Sequence, residues 1–173
     1  MIVVLMGVAG SGKTTIGRAL AARLGCGFLD GDDFHPAANV AKMAEGVPLT
    51  DEDRRPWLER LNTRLRERQA RGESVVLACS ALKEGYRAHL LRGLADCELA
   101  FLRGSMELIR GRLETRKHRY MPASLLASQF ALLEVPAQAI DVDIRESAAR
   151  CVEVILDALP QDSLPGSPPP SSR

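Results

Sequence analysis

The chain has few aromatic residues and few cysteines for its 173 residues. One Trp, two Tyr and four Phe leave little material for a pocket that holds its ligand by aromatic stacking. The four cysteines lie far apart, without a C-x-x-C pair or metal-ligand spacing: Cys26, Cys79, Cys97 and Cys151. We therefore expect reduced, buried thiols and a cytoplasmic protein, rather than a disulfide scaffold or a zinc site.

The sequence also lacks an excess of charge and a long apolar run. Its 23 basic and 22 acidic residues nearly cancel, which gives no indication of a nucleic-acid partner. No segment approaches the roughly 20 apolar residues of a membrane span, so we expect no membrane partner. The opening apolar run, Ile2–Met6, is too short for a signal peptide and leads directly into a glycine-rich loop.

The length and the terminal composition predict one domain with a tail. A chain of 173 residues suffices for one well-buried α/β domain, which we place at residues 1–159. Residues 160–173 are rich in Pro and Ser and cannot bury a core, so we expect a disordered tail. A proline-rich docking segment is the alternative for this tail.

A phosphate-binding loop is the clearest motif present. The stretch Gly7–Thr14 matches G-x-x-x-x-G-K-[ST] at every fixed position, after a β-branched strand and before a helical pattern. Its glycines allow several N–H groups to converge on phosphate, and the helix N-terminus adds partial positive charge. Lys13 is expected to reach the β- and γ-phosphates of ATP, and the Thr14 hydroxyl to ligate Mg²⁺. The predicted ATP-binding residues are Gly7, Val8, Ala9, Gly10, Ser11, Gly12, Lys13, Thr14 and Thr15.

Strand-like and helical patterns alternate along the chain. Strands are predicted at residues 2–6, 27–30, 74–79, 98–102 and 139–143. Helical patterns lie between and after them, one of them starting near Pro56 with Asp53 as its cap and another opening at Pro122. The alternation predicts an α/β fold with three layers: a central parallel sheet of about five strands and helices on both faces. Ligands in such folds bind at the carboxyl ends of the strands.

An acidic cluster follows the second predicted strand. Asp30, Asp32 and Asp33, with His35, lie where this fold would bring them beside the phosphate loop. A simple turn is the alternative, because Asp and Gly are common turn residues. A carboxylate here could accept the proton of an attacking hydroxyl or hold Mg²⁺ through water, and Asp32 is our candidate for the first role.

The third predicted strand ends in Cys79-Ser80-Ala81-Leu82-Lys83. A motor-type ATPase would end this strand in Asp, and a GTPase would carry N-K-x-D, which is absent from the sequence. A kinase for a small molecule fits better, and the scarcity of aromatic residues argues against a nucleotide acceptor. A nucleotide-binding switch without enzymatic activity is the remaining alternative, although it would leave the acidic cluster and this strand end unexplained.

A basic segment, Arg116–Arg119, precedes Pro122. We expect a mobile lid at about residues 114–124, in which Arg116 neutralises the transferring phosphoryl group and closure excludes water. A solvated helix face is the alternative interpretation of such basic residues.

Together, these segments resemble the gluconokinases, small P-loop carbohydrate kinases related in architecture to shikimate and adenylate kinases. The resemblance covers about residues 1–158. The matching segments are Met6–Thr14, Asp30–Pro36, Asn39, Lys42-Met43, Gly46–Leu58, Ala78–Lys83 with Tyr86-Arg87, and Ser128–Phe130 with Leu133-Glu134 and Pro136. It implies phosphorylation of the 6-hydroxyl of D-gluconate by ATP, a mobile lid and a homodimer. The family usually has His-Phe before the Met-Pro pair of the lid, whereas this chain has Arg119-Tyr120, so a lid histidine cannot be transferred.

A gluconate site needs a cation for the carboxylate at the end opposite the reacting hydroxyl. The candidates are Lys42, Arg54, Arg55, Lys83 and Arg87. We expect at least one of Arg55, Lys83 and Arg87 to contact the substrate, with His35 and Ser80 on its hydroxyls. A P-loop kinase for shikimate or another sugar acid is the alternative function.

Overall fold

A computed structural model describes residues 1–115 and 123–160 of the chain. Arg116, Arg119 and most of the predicted lid lie outside the described residues, as does the tail beyond residue 160. Within the described part, no helix is both long and apolar enough to cross a membrane. No group of three or more His, Cys, Asp or Glu side chains that could hold a metal ion occurs in the same part.

Strands and helices alternate as the sequence patterns predict. The strands are β1 (Ile2–Met6), β2 (Gly27–Asp30), β3 (Val75–Ala78), β4 (Cys97–Arg103) and β5 (Ile140–Asp143). The α-helices within the described ranges are α1 (Lys13–Leu24), α2 (Ala37–Ala44), α3 (Asp51–Ala70), α4 (Glu84–Leu91), α5 (Met106–Thr115), α6 (Ala123–Leu132) and α7 (Ala148–Ala158). A short 3-10 helix, Gly31–Phe34, follows β2.

The five strands form one parallel sheet in the order β2-β3-β1-β4-β5. β1 lies in the middle, and its Ile2 is in register with Val75 on one side and Cys97 on the other. Since β1 is covered on both faces, its side chains divide between two cores. Val3 and Leu5 pack with α1 and α7, whereas Ile2, Val4 and Met6 pack with α3 and α4. This arrangement confirms the predicted α/β fold with helices on both faces of a parallel sheet.

The start of α3 differs from the prediction. Its cap is Thr50, whose side chain accepts a hydrogen bond from the Asp53 N–H, while the Asp53 carboxylate accepts one from the Thr50 N–H. The prediction of Asp53 as the cap is therefore wrong, and Pro56 lies in the second turn of α3. Three acidic residues in the first turn complement the partial positive charge there, which favours the earlier start.

The short elements α2 and α4 and the 3-10 helix were not predicted. Each spans eight residues or fewer, which is too short for a clear apolar stripe. α4 keeps its place through tertiary contacts, because Asn62 of α3 donates hydrogen bonds to the Leu90 and Arg92 carbonyls at its end. In the chain, the 3-10 helix and α2 follow the carboxyl end of β2, and α4 follows that of β3.

Candidate active site

The phosphate loop connects the end of β1 to the start of α1 through unusual backbone angles. Gly7, Gly10 and Gly12 have φ values of 148°, 83° and 98°, which side chains other than glycine rarely adopt. A Cβ on Gly7 would also approach the Leu102 carbonyl oxygen to 3.0 Å. Gly12 occupies the N-cap of α1 and has no side chain to cap it. The first N–H groups of the helix therefore point towards the space that a phosphate would fill.

Lys13 folds back over this loop. Its Nζ donates hydrogen bonds to the carbonyl oxygens of Gly7 and Val8, both at 2.9 Å. Burial lowers the pKa of the Lys13 ammonium, and the nearby charges of Asp32, Cys79 and Asp30 oppose that shift. The ammonium is thus already at the loop, held by weak neutral acceptors that a phosphate oxygen can replace.

A hydroxyl and a carboxylate meet beside the loop. The Thr14 Oγ1 donates to Asp30 Oδ2 at 2.9 Å, and Asp30 Oδ1 accepts a hydrogen bond from the Asp32 N–H at 3.2 Å. Asp30 also caps the 3-10 helix that carries Asp32. Hydroxyl and carboxylate oxygens are the donors that Mg²⁺ prefers, so the residues present fit the predicted metal.

The 3-10 helix places His35 against the indole of Trp57. The two rings stack with centroids 4.3 Å apart and an interplanar angle of 14°. Trp57 is itself fixed, because its Nε1 donates to the Gly31 carbonyl at 2.7 Å. Burial lowers the pKa of His35, with Asp32 opposing the shift and Arg54 adding to it. His35 is therefore a neutral hydrogen-bonding group near pH 7, next to an exposed Asp32.

Both lysines proposed for gluconate are paired with carboxylates of α3. Lys42 Nζ lies 2.7 Å from Asp53 Oδ1, and Lys83 Nζ lies 3.0 Å from both carboxylate oxygens of Asp51. The Tyr86 hydroxyl donates to the same Asp51 carboxylate. The Asp51 pKa is lowered mainly by the Tyr86 hydrogen bond and then by Lys83. Both cations lie beside the first turn of α3, the region that we call the acceptor side, and each forms an ion pair with a carboxylate there.

The arginines of the acceptor side differ in environment. Arg87 is buried, and its Nη1 donates to the carbonyls of Ala81, Leu82 and Glu134 at 3.0–3.1 Å. Arg54 donates to the carbonyls of Leu49 and Thr50 and lies over the Tyr86 ring. Arg55 is exposed, and its side chain has no hydrogen bond or ion pair within residues 1–115 and 123–160.

Ser80 links the end of β3 to the phosphate loop. It follows β3, and its carbonyl accepts the Gly7 N–H at 3.3 Å, so the end of β3 is joined directly to the phosphate loop. Among the described residues, the structure thus places the phosphate loop, the Asp30–His35 segment and Ser80 along one edge of the sheet, where strands β1, β2 and β3 end. Thr15 lies in the first turn of α1 and is exposed.

Comparison with known proteins agrees with this geometry. The family described as "AAA domain" matches residues 2–140. The "Thermosensitive gluconokinase" of Escherichia coli (strain K12) is 48% identical over 141 residues, covering 82% of this chain and 75% of that protein. A crystal structure of a gluconokinase from Sinorhizobium meliloti 1021 is 41% identical with a TM-score of 0.80, covering 90% of this chain and 89% of that one. The chain belongs to the gluconokinase family of P-loop proteins.

Gluconokinases share their fold with more distant kinases. Shikimate kinase from Aquifex aeolicus vf5 superposes with a TM-score of 0.56 at 20% identity, covering 91% of this chain and 95% of that one. At this level of identity, the likeness concerns the fold alone. It confirms the expected architectural relationship to shikimate kinase.

The sequence patterns missed one part of this gluconokinase site. A cavity of about 320 Å³ adjoins the start of α1 and continues to the loop between β5 and α7. Its lining is formed by Gly12, Thr15, Ile16, Arg112, Ile144, Glu146, Ser147, Ala148 and Cys151. Arg112 donates a hydrogen bond to the Ile144 carbonyl, which closes one side. Gly12 and Thr15 of this lining were predicted, whereas no local motif marks the other residues, because the lining comes from three separate segments that only the fold brings together.

Proposed function

We propose that this protein transfers the γ-phosphoryl group of ATP to the 6-hydroxyl of D-gluconate, giving 6-phospho-D-gluconate and ADP. The observation that carries this proposal is the meeting of a complete phosphate loop with the Asp32–His35 group and several cations at one edge of the sheet. The membership of the gluconokinase family gives the substrate.

The donor side binds ATP through the phosphate loop. Phosphate oxygens replace the Gly7 and Val8 carbonyls as partners of Lys13. The Lys13 ammonium then stabilises the negative charge on the phosphoryl group during transfer. The adenine base occupies the cavity beside Thr15 and Arg112. Thr14 and Asp30 would hold Mg²⁺, which neutralises charge on the β- and γ-phosphates when it is bound.

The acceptor side orients gluconate for attack. Asp32 accepts the hydrogen bond of the 6-hydroxyl and takes its proton late in the transfer. Neutral His35, held flat against Trp57, binds a neighbouring hydroxyl of the chain, and Ser80 binds another. Phosphoryl transfer depends mainly on positioning and charge neutralisation, so we expect Lys13 to contribute more to the rate than Asp32.

The gluconate carboxylate binds at the far end, on Arg55 and Lys83. Arg55 is exposed, and Lys83 can exchange its Asp51 partner for the substrate carboxylate. Lys42 is held by Asp53 in the same region and belongs to the same site. Arg87 contributes by holding the loop after β3, because backbone carbonyls surround its guanidinium.

Three further features belong to this proposal. Arg116 is assigned to the lid, where it neutralises the transferring phosphoryl group, and Arg119 is assigned to the same lid. The protein functions as a cytoplasmic homodimer. A lid of this kind would close over ATP to exclude water, which keeps a kinase from hydrolysing ATP without an acceptor.

An acceptor panel tests the function. ADP formation is measured with Mg²⁺-ATP and each of D-gluconate, 5-keto-gluconate, shikimate, AMP and water, with the loop variant Lys13→Ala as the blank. We expect turnover that depends on gluconate, with little above the blank for shikimate, AMP and water. Turnover with shikimate or AMP in place of gluconate would contradict the proposal, and ATP binding without turnover on any acceptor would favour a binding switch.

A further inference from the structure

Gln129 of α6 contacts the phosphate loop from outside the motif. Its Oε1 accepts a hydrogen bond from the Ala9 backbone N–H at 2.7 Å, across 120 residues of sequence. Ala9 lies between the motif glycines Gly7 and Gly12, at a position that the motif leaves variable. The contact therefore fixes the position of a backbone segment that the conserved spacing of the P-loop motif does not itself hold.

The orientation of the Gln129 amide follows from chemistry. A backbone N–H can only donate, so the atom that faces Ala9 must be the amide oxygen. A carboxylate at this position could also accept the Ala9 N–H, but it would add negative charge beside the triphosphate.

Both faces of this turn are packed. A Cβ on Gly10 would approach Ile109 and Leu113 of α5 to 3.0 Å, so α5 lies close against the loop. Gln129 approaches the neighbouring Ala9 from α6. The turn is thus held between two helices, by apolar contact from α5 and by a hydrogen bond from α6.

The end of α6 is fastened to the acceptor side. The Glu134 carboxylate accepts the Glu84 N–H at the start of α4 at 2.6 Å, and the Glu134 N–H donates to the Leu82 carbonyl at 2.9 Å. Arg87 bonds the Glu134 carbonyl as well as the carbonyls after β3. The segment from Gln129 to Glu134 therefore touches the donor loop at one end and the acceptor loop at the other.

We propose that Gln129 is a positioning residue for phosphoryl transfer, which holds the Ala9 turn of the phosphate loop in register with the acceptor loop through α6. It acts through Ala9 and α6 and needs no contact with gluconate. The inference deepens the proposed kinase function and relies on it for the identity of the reaction. In-line transfer is sensitive to such register, since a misplacement of about 1 Å can cost on the order of 10²-fold in rate.

The test compares three variants by kcat, the KM for each substrate and the thermal midpoint. Gln129→Met keeps the length of the side chain and removes the acceptor oxygen. Gln129→Glu keeps an acceptor oxygen and adds charge. Ser128→Ala is the matched control, because its hydroxyl donates to the Leu125 carbonyl within α6.

For Gln129→Met, we expect kcat to fall by about tenfold or more, with the gluconate KM changed by less than about threefold. For Gln129→Glu, we expect a kcat at saturating ATP above that of the Met variant, and an ATP KM that rises and recovers partly with added salt. Ser128→Ala should match the wild type. A Met variant with a kcat within about twofold of the Ser128→Ala control would overturn the assignment. If the Met variant does not fold, a Glu variant more than about tenfold below the wild type at saturating ATP would overturn it equally.

The failure of this inference differs from the failure of the proposed function. If the wild type uses another acceptor, the same variants are compared with that acceptor, and the expected ranking stays the same. If no acceptor supports turnover, binding of a non-hydrolysable ATP analogue is measured instead, and Gln129→Met should weaken it by about threefold or more relative to Ser128→Ala. Equal binding would then overturn the role of Gln129.

Discussion

The donor and acceptor sides of the site present different kinds of groups to their ligands, backbone on one side and charged side chains on the other. The donor side consists mainly of backbone, with three glycines at positive φ and an uncapped helix start. The acceptor side consists of charged side chains that pair with one another, as Lys83 with Asp51 and Lys42 with Asp53. ATP can enter a loop that already has its shape, whereas gluconate must take partners away from existing pairs.

Because of this difference, the donor side determines the affinity for ATP, and the acceptor side determines which acceptor is selected. Backbone N–H groups fixed by glycine geometry recognise phosphate whatever the acceptor is. The paired cations of the acceptor side give up an internal carboxylate only when the ligand supplies another in the right place. We therefore expect changes on the donor side to remove turnover, and changes on the acceptor side to alter the gluconate KM.

The largest effect should follow removal of the donor-side cation. Lys13→Ala is expected to lower kcat by about 10³-fold, because the ammonium that follows the γ-phosphate is lost. The measurement is ADP formation at saturating gluconate, with the half-buried Arg64→Ala as the control for loss of a basic residue. A kcat for Lys13→Ala within tenfold of the wild type would contradict the claim that turnover depends on the donor side.

The two acceptor-side arginines should separate binding from stability. Arg55→Ala is expected to raise the gluconate KM by about tenfold with little change in stability, since its side chain is exposed. Arg87→Met is expected to lower the free energy of unfolding by about 3 kcal/mol, because it leaves carbonyls around a buried side chain without their donor. KM values and urea unfolding check both. A normal gluconate KM in Arg55→Ala would show that another cation binds the gluconate carboxylate.

Removal of a competing carboxylate should improve binding. Asp51→Asn releases Lys83 from its internal partner, so we expect the gluconate KM to fall by about threefold. The double variant with Lys83→Met should lose this gain. The gluconate KM of the wild type, the two single variants and the double variant is measured from initial rates at several gluconate concentrations. A gluconate KM that rises in Asp51→Asn would show that Asp51 itself binds the substrate.

The smallest effect is on stability in acid. The Lys42 ammonium, together with the Thr50 N–H, holds the Asp53 pKa at about 2, below its ordinary 3.8. A carboxyl whose pKa is lower in the folded state stabilises the protein above the unfolded pKa, and this contribution is lost as pH falls from about 4 towards 2. The difference in unfolding midpoint between the wild type and Asp53→Asn should therefore be largest near neutral pH and shrink across that window.

The matched control for this pH dependence is Glu52→Gln, in the same first turn of α3. Its profile should run parallel to that of the wild type. A constant difference between the wild type and Asp53→Asn from pH 6 to pH 2 would contradict the role of the Lys42 pair.

The same contrast explains what could be predicted from the sequence. Gly7, Gly12, Lys13 and Thr14 stand at fixed spacing, so a local pattern predicts both the geometry of the loop and its ligand. The parallel sheet follows from strand and helix patterns of ordinary length.

Other contacts depend on residues far apart in the chain. The pairing of Lys83 with Asp51 and of Gln129 with Ala9 joins positions separated by 32 and 120 residues, so no periodicity reveals it. The cap of α3 was misplaced because Thr50 and Asp53 are both good cap residues, and only the reciprocal hydrogen bonds distinguish them.

The most direct test is a crystal structure of the protein with ADP, Mg²⁺ and D-gluconate. The account predicts that the backbone of Gly7–Thr14 keeps its present angles, while Lys83 Nζ leaves Asp51, now 3.0 Å away, and contacts the gluconate carboxylate. A complex in which Lys83 stays paired with Asp51 and the phosphate loop changes its backbone angles would contradict it.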